Sequence, residues 1–489
     1  MSVRYTADRS GVSTVEPACS TEEHSDTEDL PPINIRISVF FDGTGNNIFN
    51  TGSRLHRIRT GRSVEGLDDS YVNSYSNVAR LATSLQLQTS ENDYHIPVYV
   101  EGMGTYHYGS DDWLLGSGMG IGDAGVIGRV SSCVNRIRNS INNIRNGNTH
   151  ISHLKIDAFG FSRGAAAARY FVHRVLELDT DLTEQSLIYK LKASTARGGD
   201  AITIDDHKMP FIGLFDTVGS HRFGVTDGIE NDTAELHLDS IQLPEVEQVF
   251  HLASADEHRM NFPLTNINSA VRAGNGTQIF LPGAHSDIGG GYNEEDDGHM
   301  VENNLPVFQV WGGLAPLTTA CTARLNVIKH NLISMGYYKA SPQVEIHPGE
   351  FRDELTISET GHQLFATRTH ISNRYSYVPL RIMAEKATEK QLSFNLSSYR
   401  INNDPFLVRI KSRIENNTST DQQWMSSGAT DPQLQQLRHN YCHFSSHFIT
   451  TLGSWPMAPQ MYNATMPDPW ADNDSNNLNG VRRRKIHDG

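Results

Sequence analysis

Three residues in fixed chain order could do chemistry together: Ser162, Asp216 and His285. Ser162 lies inside Gly160-Phe161-Ser162-Arg163-Gly164, between an apolar run, Leu154 to Phe159, and an alanine-rich helical pattern, Ala165 to Leu176. That order reads strand, sharp turn, helix, the setting of a nucleophile elbow. Glycines flank the serine because a side chain there would collide with the neighbouring strand or helix. The turn lifts the hydroxyl above the sheet edge and aims the first N–H groups of the helix at the place where an oxyanion would form. Asp216 ends a short apolar strand pattern, Met209 to Phe215. A carboxylate there reaches the same sheet edge and can orient a histidine, although an aspartate after a strand also serves simply to start a turn. His285 stands in a glycine-flanked loop, Pro282 to Tyr292, after the strand Thr277 to Leu281. Its imidazole can swing between the serine and the aspartate. Among the 22 histidines, His251, His258 and His443 compete for that role; His251, on or just after a strand, reads as a packed, hydrogen-bonded side chain.

A fourth stretch, Asp42-Gly43-Thr44-Gly45-Asn46-Asn47, follows the apolar strand pattern Ile33 to Phe41. Polar residues and glycines after a buried strand mark a ligand-facing loop at the carboxyl edge of a parallel sheet. The N–H of Gly43 or Thr44 could pair with that of Arg163 as an oxyanion hole; the plainer reading is a turn. Asp42 is placed to orient this loop or to bind a cation. Asp287 and the glycines after it shape the histidine loop. Two other classes stay open. One is a metal-dependent phosphohydrolase with Asp42, Asp287 and Glu294 to Asp297 as ligands. The other is a binding module that keeps the fold without catalysis.

These residues need a frame. Ser74-Tyr75-Ser76-Asn77 opens a helix running to Leu85, with Ser74, Ser76 and Asn77 all eligible as caps. His95 to Glu101 is a strand ending in Gly102-Met103-Gly104-Thr105, and residues 124–146 form a long amphipathic helix. The glycine-rich stretch from Trp113 to Gly122 reads as a lid or active-site loop. Val249 to Leu252 is a strand continuing into a polar helix at 255–259. Strands alternating with helices and the order Ser, Asp, His together indicate an α/β-hydrolase: a mostly parallel sheet, helices on both faces, helical insertions and lid-like loops. Residues 1–32 read as an acidic, disordered tail, 33–345 as the catalytic core with insertions, 346–466 as a mostly helical cap or docking region, and 467–489 as a polar, basic-ended tail. The run Arg482 to Lys485 in that tail reads as solvated, or as attracted to anionic lipid at roughly 1 kcal/mol per charge.

The chain of 489 residues exceeds a single simple core. Its formal charge of −15, from 41 Lys and Arg against 56 Asp and Glu, argues against nucleic acid as a partner. Cys19, Cys133, Cys321 and Cys442 are far apart, which disfavours a zinc cage and favours buried free thiols. Serine chemistry of this kind needs no cofactor or metal. With no apolar leader in the first 32 residues and no run of about 18 apolar residues, the expectation is a soluble chain made in the cytoplasm without a signal peptide and carried elsewhere by another route.

The stretches Phe40-Phe41-Asp42-Gly43-Thr44-Gly45-Asn46-Asn47, Ser76-Asn77-Val78-Ala79-Arg80-Leu81 and Glu101-Gly102-Met103-Gly104-Thr105 recur together with the extended elbow, Gly160 to Ala166. Phe215-Asp216-Thr217-Val218-Gly219 and the loop Gly283 to Tyr292 complete the set. In this order they resemble the bacterial type VI secretion phospholipase effectors with an α/β-hydrolase domain, from about Ile33 to Tyr292 and more weakly to His443. The resemblance implies a phospholipase A acting on membrane glycerophospholipids, with Ser162 as nucleophile, Asp216 as acid and His285 as base. It also implies delivery on a secretion-spike carrier protein, toxicity in the periplasm or at the membrane of a target cell, and neutralisation by an immunity protein.

Overall fold

The computed structural model describes residues 12–14, 30–111, 122–145, 148–176, 186–193, 202–219, 233–257, 262–292, 300–309, short stretches between 322 and 357, 363–416, 431–444, 484 and 486–489. The strands of its first part are β1 (Val12–Thr14), β2 (Ile33–Phe41), β3 (Asp93–Val100), β4 (His150–Phe161), β5 (Thr203–Lys208), β6 (Ile212–Phe215), β7 (Val249–Ser254), β8 (Leu264–Thr265) and β9 (Gly276–Leu281). Eight of them form one sheet in the order β1-β3-β2-β4-β6-β7-β9, with β5 also paired to β4. Every pairing in it is parallel except that of β1 with β3. The helices of the same part are α1 (Ile48–Arg59), α2 (Asp69–Val72), α3 (Asn77–Ser84), α4 (Val126–Arg145), α5 (Arg163–Leu176), α6 (Leu187–Lys192), α7 (Asn268–Ala273) and α8 (His285–Gly289).

Alternation along the central strands builds two cores. On β2, Phe40 joins one cluster, with α3 (Val78, Leu81, Ala82), Phe159 and Phe215. Val39 and Phe41 join the other, with α4 (Val130, Val134, Ile137) and the alanines of α5. A buried strand whose side chains alternate between two apolar layers needs helices on both faces, and that is the α/β architecture found. Full burial of each large apolar side chain contributes about 1.5–3 kcal/mol. Ala165 to Ala168 are buried to within 1%, so α5 lies close against the sheet directly behind the elbow. Of the three eligible caps, Ser76 is the one used: its hydroxyl accepts from the Ala79 N–H.

A second sheet follows, built antiparallel from Met300–Gln309, Gln363–Ile371, Arg352–Ile357 and Gln343–Val344 in that order. Helices Tyr377–Thr388, Pro405–Asn416 and Pro432–Asn440 come after it. Three expectations change. Val12–Thr14, placed in a disordered tail, adds an edge strand to β3 and is buried. Ala255, Asp256 and Glu257 do not extend β7 as a helix; they turn, because both carboxylates are drawn inward to backbone N–H groups of the histidine loop. Of the basic run read as solvated, Arg484 is buried, and Ile486–His487 beyond it pairs in parallel with β8. The lid reading of residues 113–121 falls outside the described residues.

Candidate active site

β4 ends at Phe161 and α5 begins at Arg163, leaving Ser162 alone in the turn with a left-handed φ of 60°. A non-glycine residue held there stores strain, a feature concentrated at functional sites. The flanking glycines are required sterically. A Cβ on Gly160 would lie 2.4 Å from the Gly164 oxygen, and one on Gly164 would lie 2.3 Å from the Asp42 oxygen and 2.4 Å from that of Phe41.

Parallel register carries Asp216 to the serine. Phe161 of β4 pairs with Phe215 of β6, so Ser162 and Asp216 are the next residues on adjacent strands. The Ser162 N–H donates to the Phe215 oxygen at 3.0 Å, and the Val218 N–H donates to the Ser162 oxygen at 3.3 Å. Asp216 is also left-handed, with φ 44°. Its Oδ2 lies 2.5 Å from His285 Nδ1, and its Oδ1 accepts from the Ser254 N–H at 2.8 Å. Arg484 closes a fork on the same carboxylate, Nη1 to Oδ1 at 2.6 Å and Nη2 to Oδ2 at 2.9 Å. Asp216 is fully buried, and His285 and Arg484 are 3% and 5% exposed. Burial alone would raise the Asp216 carboxyl, but Arg484 and the His285 hydrogen bond outweigh it and hold it well below the usual carboxylate range. With Asp216 ionised, His285 donates from Nδ1 and keeps Nε2 as the basic nitrogen. The ring is held between Phe161 and Phe262, at centroid distances of 4.6 and 4.8 Å. The Ser162 hydroxyl makes no side-chain hydrogen bond among the described residues; such catalytic contacts often tighten only when substrate binds.

Three successive N–H groups fix the histidine loop, each on a different carboxylate. Gly283 donates to Asp256 at 2.9 Å, Ala284 to Asp287 at 2.8 Å and His285 to Glu257 at 3.1 Å. Two of these carboxylates are held from the C-terminal region. Arg438 grips Asp256 through two bonds of 2.8 and 3.0 Å, both groups fully buried. His443 Nδ1 lies 2.6 Å from Asp287.

The glycine loop is organised by Asp42. Its buried carboxylate accepts from Ser76 at 2.5 Å, Tyr99 at 2.6 Å and the Gly43 N–H at 2.8 Å. Burial raises its carboxyl to about 6, against these three bonds. The Gly43 N–H is thereby committed to Asp42, which departs from its expected place in an oxyanion hole. The Thr44 N–H takes no acceptor among the described residues, and the Thr44 hydroxyl accepts from Arg163 Nε at 2.7 Å, joining the loop to the first residue of α5. Asp42 and Asp287 thus spend their oxygens on donors of the fold, and Glu294 to Asp297 fall outside the described residues. Among the described residues no group of three His, Cys, Asp or Glu side chains is arranged to hold a metal ion. Of the competing histidines, His251 is buried between Gln278 and Thr217, and burial pushes it down to about 3. His443 sits on Asp287, and His258 falls outside the described residues.

The family model for the catalytic domain of Tle1-like phospholipase effectors of the type VI secretion system matches residues 36–178 and 178–307. The chain belongs to that family. Its fold is similar to a solved Tle1 effector bound to the VgrG spike from the type VI secretion system, with a TM-score of 0.54 and 22% identity over 91% of each chain. A solved uncharacterised protein from Pseudomonas aeruginosa is 20% identical over 53% of this chain and 42% of its own, with a TM-score of 0.30. No curated protein matches the chain.

In this effector Ser162, Asp216 and His285 all lie within the matched stretch, whereas Arg438, His443 and Arg484 lie beyond it. Sequence reading missed the roles of Asp256, Glu257, Arg438 and Arg484. Two acids directly after an apolar strand were the available signal for the first pair. Nothing local marks Arg484, which stands in a run of basic residues.

Proposed function

We propose that this phospholipase effector cleaves a fatty-acyl ester of membrane glycerophospholipids by a Ser162–His285–Asp216 triad, as a phospholipase A. Ser162 Oγ attacks the acyl carbonyl carbon while His285 Nε2 takes the hydroxyl proton. The tetrahedral oxyanion is held by the N–H of Arg163, the first residue of α5, and by that of Thr44. His285 then gives its proton to the departing lysolipid oxygen, the ester C–O bond breaks, and water releases the fatty acid from Ser162 by the same steps. Asp216 keeps the imidazole in the productive tautomer and stabilises its charged form.

The observation that carries this reading is the buried pair of Asp216 and His285, 2.5 Å apart, with Asp216 one residue past the strand position that pairs with the residue before Ser162. Residues 33–345 would form the catalytic core and 346–466 a cap or docking region. For partners, the fold neighbour bound to a VgrG spike supports a secretion-spike carrier. Toxicity in the periplasm of a target cell, restrained by an immunity protein, follows the same reading. Among the described residues no helix is long and apolar enough to cross a membrane. The test is incubation with defined phospholipids and mass analysis of the products. Lysolipid and free fatty acid are expected; diacylglycerol or phosphatidic acid would overturn the acyl-ester assignment.

A further inference from the structure

We propose that Arg484 is a positioning residue of this site: its guanidinium fork fixes the Asp216 carboxylate and, by offsetting its charge, sets the basicity of His285. The inference rests on the triad reading and adds to it a residue from beyond the family's catalytic match. Arg484 spends both terminal nitrogens on Asp216, at 2.6 and 2.9 Å, and its Nε on the Phe262 oxygen at 2.6 Å. The Phe262 ring in turn packs edge-on against His285. A planar fork of this kind matches a carboxylate in a way an ammonium cannot.

The arginine is anchored on its far side. Ile486–His487 pairs in parallel with β8, the Asn266 N–H donates to the His487 oxygen at 3.0 Å, the Gly489 N–H donates to Asn266 Oδ1 at 3.0 Å, and the Ser269 N–H donates to the Gly489 oxygen at 2.9 Å. The short strand therefore delivers Arg484 to the sheet edge at a fixed height.

The charged and titratable groups facing Asp216 are His285 from α8, Arg484, and His251 from β7, which itself feels Arg169 of α5. Among the described residues, only Arg484 carries a fixed charge directly on the carboxylate. An unopposed Asp216 would favour the imidazolium form of His285; the guanidinium weakens that pull and leaves the base neutral at lower pH. Removing it should move the acid limb of the pH profile upward.

The test measures kcat/KM against pH on one phospholipid for the full chain and for Arg484→Gln and Arg484→Lys, with Ser162→Ala alongside. Arg484→Gln should raise the acid limb by about one pH unit. Arg484→Lys, which keeps the charge without the fork, should leave the limb near its original place while lowering kcat about tenfold. A folded Arg484→Gln protein with an unmoved limb would overturn the proposal. If that variant does not fold, a Lys variant with unchanged kcat overturns it equally. Activity in Ser162→Ala would instead sink the triad reading, whatever Arg484 does.

Discussion

Asp216→Asn tests the geometry of the site most severely, because the carboxylate serves four donors at once. Oδ1 takes the Ser254 N–H and Arg484 Nη1, and Oδ2 takes His285 and Arg484 Nη2. An asparagine that keeps its oxygen on the Ser254 side turns its NH2 toward His285 and Arg484. That amide can only donate to His285 Nδ1, which forces the ring proton onto Nε2 and leaves no base for the serine. The same substitution at a triad acid typically costs about ten-thousand-fold in kcat, or about 5 kcal/mol of barrier. It also strands a buried guanidinium, and breaking a buried ion pair typically costs 3–5 kcal/mol of stability, so about that loss is expected. The assay is ester turnover at low temperature on a variant whose fold is verified by circular dichroism, with a denaturant titration for stability. A folded Asp216→Asn protein within tenfold of the parent rate would refute the role of the pair.

Further perturbations follow from the same contacts. Gly164→Ala would push a Cβ to 2.3 Å from the Asp42 oxygen; backbone cannot yield there cheaply, so a thermal melt should reveal a loss of about 1–3 kcal/mol together with reduced turnover. Asp256→Asn breaks the fully buried pair with Arg438 and loosens the Gly283 N–H; a loss of about 3–5 kcal/mol with a lowered kcat is expected, and unchanged stability would count against the pairing. Acid should destabilise the fold through buried histidines. His95 and His439 are pushed down to about 4 and His251 to about 3, each mainly by burial. Each is neutral in the folded chain while the unfolded chain protonates near 6.5, so stability is present above that pH and lost as pH falls, by about 1.4 kcal/mol per pH unit for each proton. Asp42, raised to about 6 by burial, works oppositely, its contribution fading as pH rises from about 4 through about 6, and offsets one such proton; melts from pH 7 to 4.5 read the net slope.

Much of the frame could be read from residues alone, and the reasons are physical. β2 alternates β-branched residues with polar ones from Ile33 to Ser38 and ends in Val39-Phe40-Phe41, so its limits, Ile33–Phe41, match the pattern. β4 reaches beyond its apolar stretch to His150 because β5 pairs with its polar start. β5 itself, Thr203–Lys208, is nearly all polar and is held by that pairing rather than by any pattern of its own. Val12–Thr14 is too short to display a period. Within the site, Ser162, Asp216 and His285 were legible because each sits just past an apolar strand. Position alone offered the N–H of Gly43 or Thr44 to an oxyanion, or a plain turn; the capture of the Gly43 N–H by the preceding side chain depends on a rotamer that no spacing reveals. Arg484 meets Asp216 across 268 residues, a contact with no local signature.

The account turns on Ser162 as the nucleophile. The most direct measurement is turnover of a defined phospholipid by a Ser162→Ala protein whose fold matches the parent's by circular dichroism and melting temperature. Acyl hydrolysis is predicted to fall by about a millionfold, the scale of losing a serine nucleophile, with no lysolipid above background. Lysolipid released at the parent rate would contradict the mechanism, whatever the geometry around Asp216 and His285.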